Sequence, residues 1–259
     1  MKFNKGRNIA LIASVLVFCL LYFAFPRVGP KEANLKEKAP VSEADQTALQ
    51  EKALNSLSAD SQKIVKALVD EAKNNRLGVE DRAAAAKQLS GLWYRKNFFE
   101  LAGKYADEVA ELENTAAAWN IAGNSYMHGL VAVEDQHERE HLATGAAHAF
   151  KKATDLEPDN IDYRISLATV YTEVPDQENP MMGIQQLLEL NRKHPDDTKV
   201  LTVLGKLAIK TGQYDKAIIR LEKVRVLDAK NTEAACLLSF AYDGVGKKKE
   251  AEALKKYCQ

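Results

Sequence analysis

Thr211-Gly212-Gln213-Tyr214 and Val245-Gly246-Lys247-Lys248 set two turn glycines 34 residues apart, and Ala217 and Ala251 repeat that interval. Working outward, residues able to cap a helix N-terminus stand at Thr115, Asn160, Asp197 and Asn231, the last three spaced 37 and 34 apart. Such side chains accept hydrogen bonds from the free amides in the first turn of the next helix. Pro158 and Pro195 sit two residues before two of the caps, where proline ends the preceding helix. The implied unit is helix, glycine turn, helix, proline stop, cap, repeated along the chain.

These units resemble the tetratricopeptide repeat family, whose unit of about 34 residues is a helical hairpin. Trp119, Gly123, Tyr126, Ala146, Phe150, Ala153 and Pro158 match one unit, with about 11 extra residues between Tyr126 and Ala146. Leu167, Ala168, Tyr171, Gly183 and Pro195 match the next, with about three extra residues around Pro175 and Pro180. Leu204, Gly205, Ala217 and Leu221 form a third; Leu238, Ser239, Tyr242, Gly246 and Ala251 form the last. Leu89, Leu92, Phe98, Leu101 and Tyr105 mark a degenerate first unit. The resemblance implies an all-α, right-handed α-solenoid with units at 82–115, 116–160, 161–197, 198–231 and 232–259. Ile64, Val65, Leu68 and Val69 are spaced as on one helix, so 58–81 is expected to cap the array.

Ile9 to Phe25 reads IALIASVLVFCLLYFAF, 17 residues without a charge. At about 1.5 Å per residue this is the short limit for a single transmembrane helix, expected over 9–26. A cut after Ala24 would put bulky Tyr22 two places earlier, and one after Gly29 would put Arg27 there, so an uncleaved anchor is expected. The tail 1–8 is basic, and 27–57 is a polar linker expected to turn helical after Asp45. Lys2, Lys5 and Arg7 form an acid-free cluster, which favours export of the large domain into a bacterial-type periplasm. The 36 basic and 36 acidic residues of the 259 cancel, but 1–38 holds seven basic against two acidic residues. The remainder is therefore mildly acidic, which argues against nucleic acid as a partner.

His137-Glu138-Arg139-Glu140-His141 spells H-E-x-x-H, in which two histidines one helical turn apart grip zinc and the glutamate serves as base. A zinc-dependent hydrolase is thus the alternative function. Against it, Arg139 and Glu140 are charged where a zinc peptidase packs against its core, and Ala146, Phe150 and Ala153 serve repeat packing. No phosphate loop or nucleophile signature appears, so no cofactor and no enzymatic activity are expected. Three cysteines are too few for a disulfide scaffold. Antiparallel helices would bring Cys236 and Cys258 to a similar height, but in the family's frame Cys236 faces the inner groove while Cys258 belongs to an outer helix, so free thiols are the default expectation and the pairing stays open.

The resemblance implies a non-enzymatic scaffold that holds a protein or peptide in its concave face, in a chaperone-like or assembly role. Ligand-facing first-helix positions fall at Trp93, Tyr94, Asn120, Asn124, Met127, His128, Thr169, Lys199, Thr202, Lys206 and Lys210. Asparagines can bond both donors and acceptors of an extended backbone, and lysines offer charge to a carboxylate. Asp162, Ile165 and Ser166 break the Lys-Asn-Asn-Lys-Arg set of the eukaryotic chaperone-tail clamp, so that ligand is not implied. The sequence leaves the oligomeric state open.

Overall fold

The helices begin where the sequence supplies an acceptor. Thr115, Asn160, Asp197 and Asn231 each accept from a following backbone N–H, at 3.2, 3.1, 2.9 and 2.8 Å. Ser58 and Asp135 do the same at 3.3 and 2.8 Å. The structure is a computed structural model that describes residues 43–258. In chain order it holds α1 (Glu43–Asn55), α2 (Ala59–Lys73), α3 (Val79–Arg95), α4 (Phe99–Glu113), α5 (Ala116–Ala132) and α6 (Gln136–Leu156). There follow α7 (Ile161–Glu173), α8 (Met182–Lys193), α9 (Thr198–Lys210), α10 (Tyr214–Leu227), α11 (Thr232–Gly244), α12 (Lys248–Leu254) and a 3-10 turn at Lys255–Tyr257. Among the described residues there is no strand, and the architecture is all-α.

From α3 onward successive helices pair as hairpins, and first helices of neighbouring hairpins also touch: α7 meets α9, and α9 meets α11. Gly212 and Gly246 turn two hairpins at φ of +70° and +78°, and Asn97 takes the same place in the first at 59°. Asparagine tolerates the left-handed region better than most residues with a side chain. At these three turns an amide donates back to the end of the first helix: Phe98 to Trp93, Gln213 to Ala208 and Lys247 to Tyr242, at 3.0, 2.7 and 2.9 Å.

That shared turn corrects the frame of the first unit. Ser90 Oγ donates to the Ala102 carbonyl at 2.9 Å, and Ser239 Oγ donates to the Ala251 carbonyl at 2.8 Å, both 12 residues further on. Ser90 and Ser239 are therefore equivalent, and the first unit begins at Ala83 rather than Arg82. Trp93 then stands where Tyr126, Tyr171 and Tyr242 stand in other units. A Cβ on the equivalent Gly123 would meet the Phe150 ring at 2.6 Å, and one on Gly205 would meet Leu221 at 2.8 Å. Opposite Ser90 the register places only Ala106, which leaves room for a hydroxymethyl group.

The 11 extra residues of the second unit form no loop. They lengthen α5 to 17 residues and α6 to 21. The core runs along the array as a series of clusters. One joins α1 to α4 around Leu57, Val65, Leu89, Trp93 and Leu101. The next, across α4, α5 and α6, is almost all alanine around Trp119, which lets the helix backbones approach closely. Two more follow, centred on Leu187, Leu190 and Leu204, and on Leu221, Val224 and Leu238.

Three expectations differ from what the described residues show. The polar linker, expected to run to residue 57 and to turn helical after Asp45, is helical over Glu43–Asn55 as α1, and Ala53 and Leu57 are buried in the first cluster rather than solvated. The cap therefore consists of two helices, α1 and α2, which share one cluster with α3 and α4. Cys236 and Cys258 are joined, with Cα atoms 4.8 Å apart. The second helix of the last hairpin ends at Leu254, and the 3-10 turn brings residue 258 back to α11. Among the described residues no helix is long and apolar enough to cross a membrane. The tail at 1–8, the anchor at 9–26 and the start of the linker lie outside the described residues.

Candidate interaction face and the histidine cluster

Tyr94 lies in the last turn of α3, beside α4 and α5. Its ring meets Phe99 and His128 edge-on, with centroids 5.7 and 5.5 Å apart. Tyr94 and His128 are exposed, as is Asn124 one turn before His128; Asn120 and Met127 are half-buried. This gives α5 a neutral strip of amide and aromatic groups open to solvent.

Two of the sequence candidates leave the face. Trp93 is only 2% exposed, packed edge-on against Phe98 in the first cluster, because its true place in the unit is the core position. Beside it lies a cleft of about 270 Å³, walled by Leu54, Val65, Val69, Leu101 and Tyr105 where the two cap helices meet α3 and α4. Thr202 is buried at 5% exposure and donates to the Thr198 carbonyl of its own helix at 2.7 Å. Thr169 is half-buried and likewise spends its hydroxyl on Ile165, at 2.8 Å.

The lysines of α9 are mostly committed. Lys199 pairs with Asp162 at 2.6 Å, and Lys210 pairs with Glu173 at 3.1 Å. Both acids lie on α7, 37 residues earlier, so equivalent positions of neighbouring first helices carry opposite charge. Among the described residues Lys206 is exposed and makes no ion pair or hydrogen bond. On α11 the matching position holds Phe240, 55% exposed.

The histidines separate. His128 lies against Tyr94 and His148 against Trp119, the latter at 5.4 Å, while the His137 and His141 rings adjoin at 4.2 Å, tilted by 59°. Among the described residues no group of three or more His, Cys, Asp or Glu side chains is placed to hold a metal ion. The Glu138 amide donates to the Asp135 cap, which fixes this segment as a helix start. Arg139 has a structural task. Its guanidinium donates to the carbonyls of Leu130 and Val133 at the end of α5, the latter at 3.3 Å, and to Glu173 at the end of α7, at 3.5 Å. H-E-x-x-H is here a cap followed by a clamp on two helix ends, and the hydrolase reading has no support. Glu100, at the start of α4, has its carboxyl pushed up by burial, an effect opposed by nearby His141.

Residues 138–235, from α6 to the start of α11, match the family described as the cytochrome c-type biogenesis protein H TPR domain. This region is a tetratricopeptide-repeat array. No curated protein matches the chain. Among solved structures the array is similar to a MamA protein, at 19% identity over 68% of this chain and 88% of that one, with a TM-score of 0.43. It is also similar to YrrB, described as a TPR protein with an unusual peptide-binding site, at 20% identity over 75% and 89% of the two chains, with a TM-score of 0.39. Stacked repeats of this kind form extended concave surfaces suited to binding other proteins.

Sequence reasoning missed several partners within the array. The two α7–α9 ion pairs were legible, since opposite charges recur at the 37-residue interval already marked by Asn160 and Asp197. The pair Asp107–Tyr126 was not. Tyr126 donates to Asp107 Oδ2 at 2.6 Å, with its ring wedged between Gly103 of α4 and Gly145 of α6. Asp107 Oδ1 is buried without a hydrogen-bond partner. Burial pushes the Asp107 carboxyl up to about 7, opposed by the Tyr126 hydrogen bond and assisted by Glu111 and Glu108. Glycines 42 residues apart that frame one ring leave no local pattern.

Proposed function

We propose that the chain is a membrane-tethered adaptor of the cell envelope that holds an extended segment of a partner protein along its first-helix face. The process is cytochrome c-type biogenesis, in an assembly or chaperone-like role. The observation that carries this reading is the match of residues 138–235 to the biogenesis-protein TPR domain. Two features support it. Tyr94, Asn120, Asn124, Met127, His128, Thr169 and Lys206 give the first helices polar, aromatic and cationic groups turned to solvent or half-open to it. The Cys236–Cys258 bridge suits an exported domain, because disulfides persist in oxidising compartments. The tether is the apolar stretch at 9–26, with the array on the exported side.

The partner segment lies across α5, α7 and α9. The asparagines bond its backbone, and Lys206 meets a carboxylate. Lys199 and Lys210 contribute less, since each is already neutralised by an acid of α7. A photo-crosslinker placed at Asn124 of the intact membrane protein is expected to trap a protein of cytochrome c-type biogenesis, and Lys206→Glu is expected to reduce that yield several-fold. Equal crosslinking by both proteins would remove the first-helix face as the binding surface.

A further inference from the structure

The last element of the array is held by little apolar burial. The second helix of the preceding hairpin, α10, buries Ala217, Ile218, Leu221 and Val224 over 14 residues. Its counterpart α12 spans seven residues and buries only Ala251, and the 3-10 turn after it buries none. Lys248, Lys249, Lys255 and Lys256 keep this segment solvated. Beyond the partly buried Leu254, it is tied down by the exposed Lys248–Asp243 ion pair at 2.6 Å, the Ser239–Ala251 hydrogen bond at 2.8 Å, the Tyr257 ring against Arg225 at 5.4 Å, and the Cys236–Cys258 bridge.

The bridge is open to attack. Cys258 is exposed, whereas Cys236 is half-buried on α11. Cys236 and Phe240 are one helical turn apart and so share a face of α11. Phe240, 55% exposed, ends the row that contains Asn124, Thr169 and Lys206.

We propose that the Cys236–Cys258 bridge is a redox latch. Oxidised, it pins Lys248–Cys258 against α11 and holds the end of the interaction face around Phe240 in place. Reduced, it releases that segment and weakens partner capture. The reductant is a thiol. Its thiolate attacks the exposed Cys258 sulfur, the Cys236 sulfur leaves as a thiolate and takes up a proton, and a mixed disulfide remains on Cys258. A second reductant thiolate resolves it, freeing Cys258 as a thiol and leaving the reductant as a disulfide; two electrons pass to the protein. The claim about capture rests on the interaction-face reading above. The claim about release does not.

The test uses the intact protein in detergent, oxidised or treated with a small thiol reductant, beside the double variant Cys236→Ser, Cys258→Ser. Alkylation followed by mass measurement should find both cysteines blocked before reduction and free after it. Amide hydrogen exchange across Lys248–Cys258 should quicken at least tenfold on reduction and in the variant, with α9 and α10 unchanged. Crosslinking from Asn124 should fall at least threefold in the same samples. Two free thiols before reduction, or exchange at Lys248–Cys258 unmoved by reduction, would overturn the latch. Quickened exchange with undiminished crosslinking overturns the gating of capture alone. If Lys206→Glu also crosslinks normally, the fault lies in the interaction-face reading.

Discussion

Asp107 holds its proton near pH 7 because α4, α5 and α6 close around it, and Tyr126 supplies one donor for two oxygens. A carboxyl raised in the folded state binds a proton there that the unfolded chain has already released. Its contribution is therefore complete below about pH 4, the unfolded range, and is lost as the pH rises through the folded value of about 7. Asp107→Asn keeps an acceptor for Tyr126 and removes the titration. Chemical denaturation at pH 5 and pH 8 should show the wild-type protein losing stability across that interval, on the order of 1 kcal/mol per pH unit at most. The variant should lose much less. Equal slopes would mean that Asp107 is ionised in the folded protein throughout. Beside it, a Cβ on Gly145 would meet the Tyr126 ring at 2.7 Å. Gly145→Ala should cost about 1–3 kcal/mol by thermal melting, the usual range for overpacking a fitted core. Single residues were also where sequence reading failed most. Trp93 falls on the face only if the first unit starts at Arg82; the shared turn at Asn97 and the Ser90 and Ser239 hydrogen bonds move the start one residue on, to Ala83.

Helices were far more legible, and the reason is local chemistry. Caps at Thr115, Asn160, Asp197 and Asn231 and the turns at Gly212 and Gly246 depend on side chains within a few residues. The ends of α5, α6 and α12 were less so, because long-range partners set them. Arg139 reaches 34 residues along the chain to Glu173. Its loss would leave carbonyls of α5 and α7 without their donor in a part-buried setting. Arg139→Met should therefore destabilise the protein by about 1–3 kcal/mol, read by thermal melting, and quicken amide exchange at the ends of α5 and α7. The double variant His137→Ala, His141→Ala touches the same stretch of sequence but no helix end. It should stay within about 0.5 kcal/mol of wild type, and equimolar zinc lost on that substitution would revive the metal reading. The Cys236–Cys258 bridge escaped the sequence because a regular second helix would carry residue 258 away from α11; the 3-10 turn brings it back.

At the scale of the whole molecule, a repeat array, an apolar stretch and a basic tail each constrain where the protein works. Among the described helices none is long and apolar enough to cross a membrane. In the proposed reading the stretch at 9–26 is the tether, and the charges around it bear on its direction. Lys2, Lys5 and Arg7 precede it without an acid, whereas Arg27, Lys31, Lys36 and Lys38 follow it interspersed with Glu32 and Glu37. Counted as cations alone the two flanks nearly balance, since acids weigh little in the positive-inside rule. The disulfide adds a separate consideration, for a bridge with an exposed Cys258 is not maintained against cytosolic thiols. The near-tie in flanking charge leaves the disulfide as the argument for the proposed array on the oxidising side. An alkaline phosphatase domain, active only where its own disulfides form, fused after Gln259 should be active in intact bacteria, and a fluorescent reporter that matures only in the cytoplasm should be dark at the same position. Adding three lysines just after Pro26 should reverse both readouts if charge sets the direction. A dark phosphatase and a bright cytoplasmic reporter on the unmodified chain would place the array in a reducing compartment, where the Cys236–Cys258 bridge could not stay closed and the proposed envelope role would fall with it.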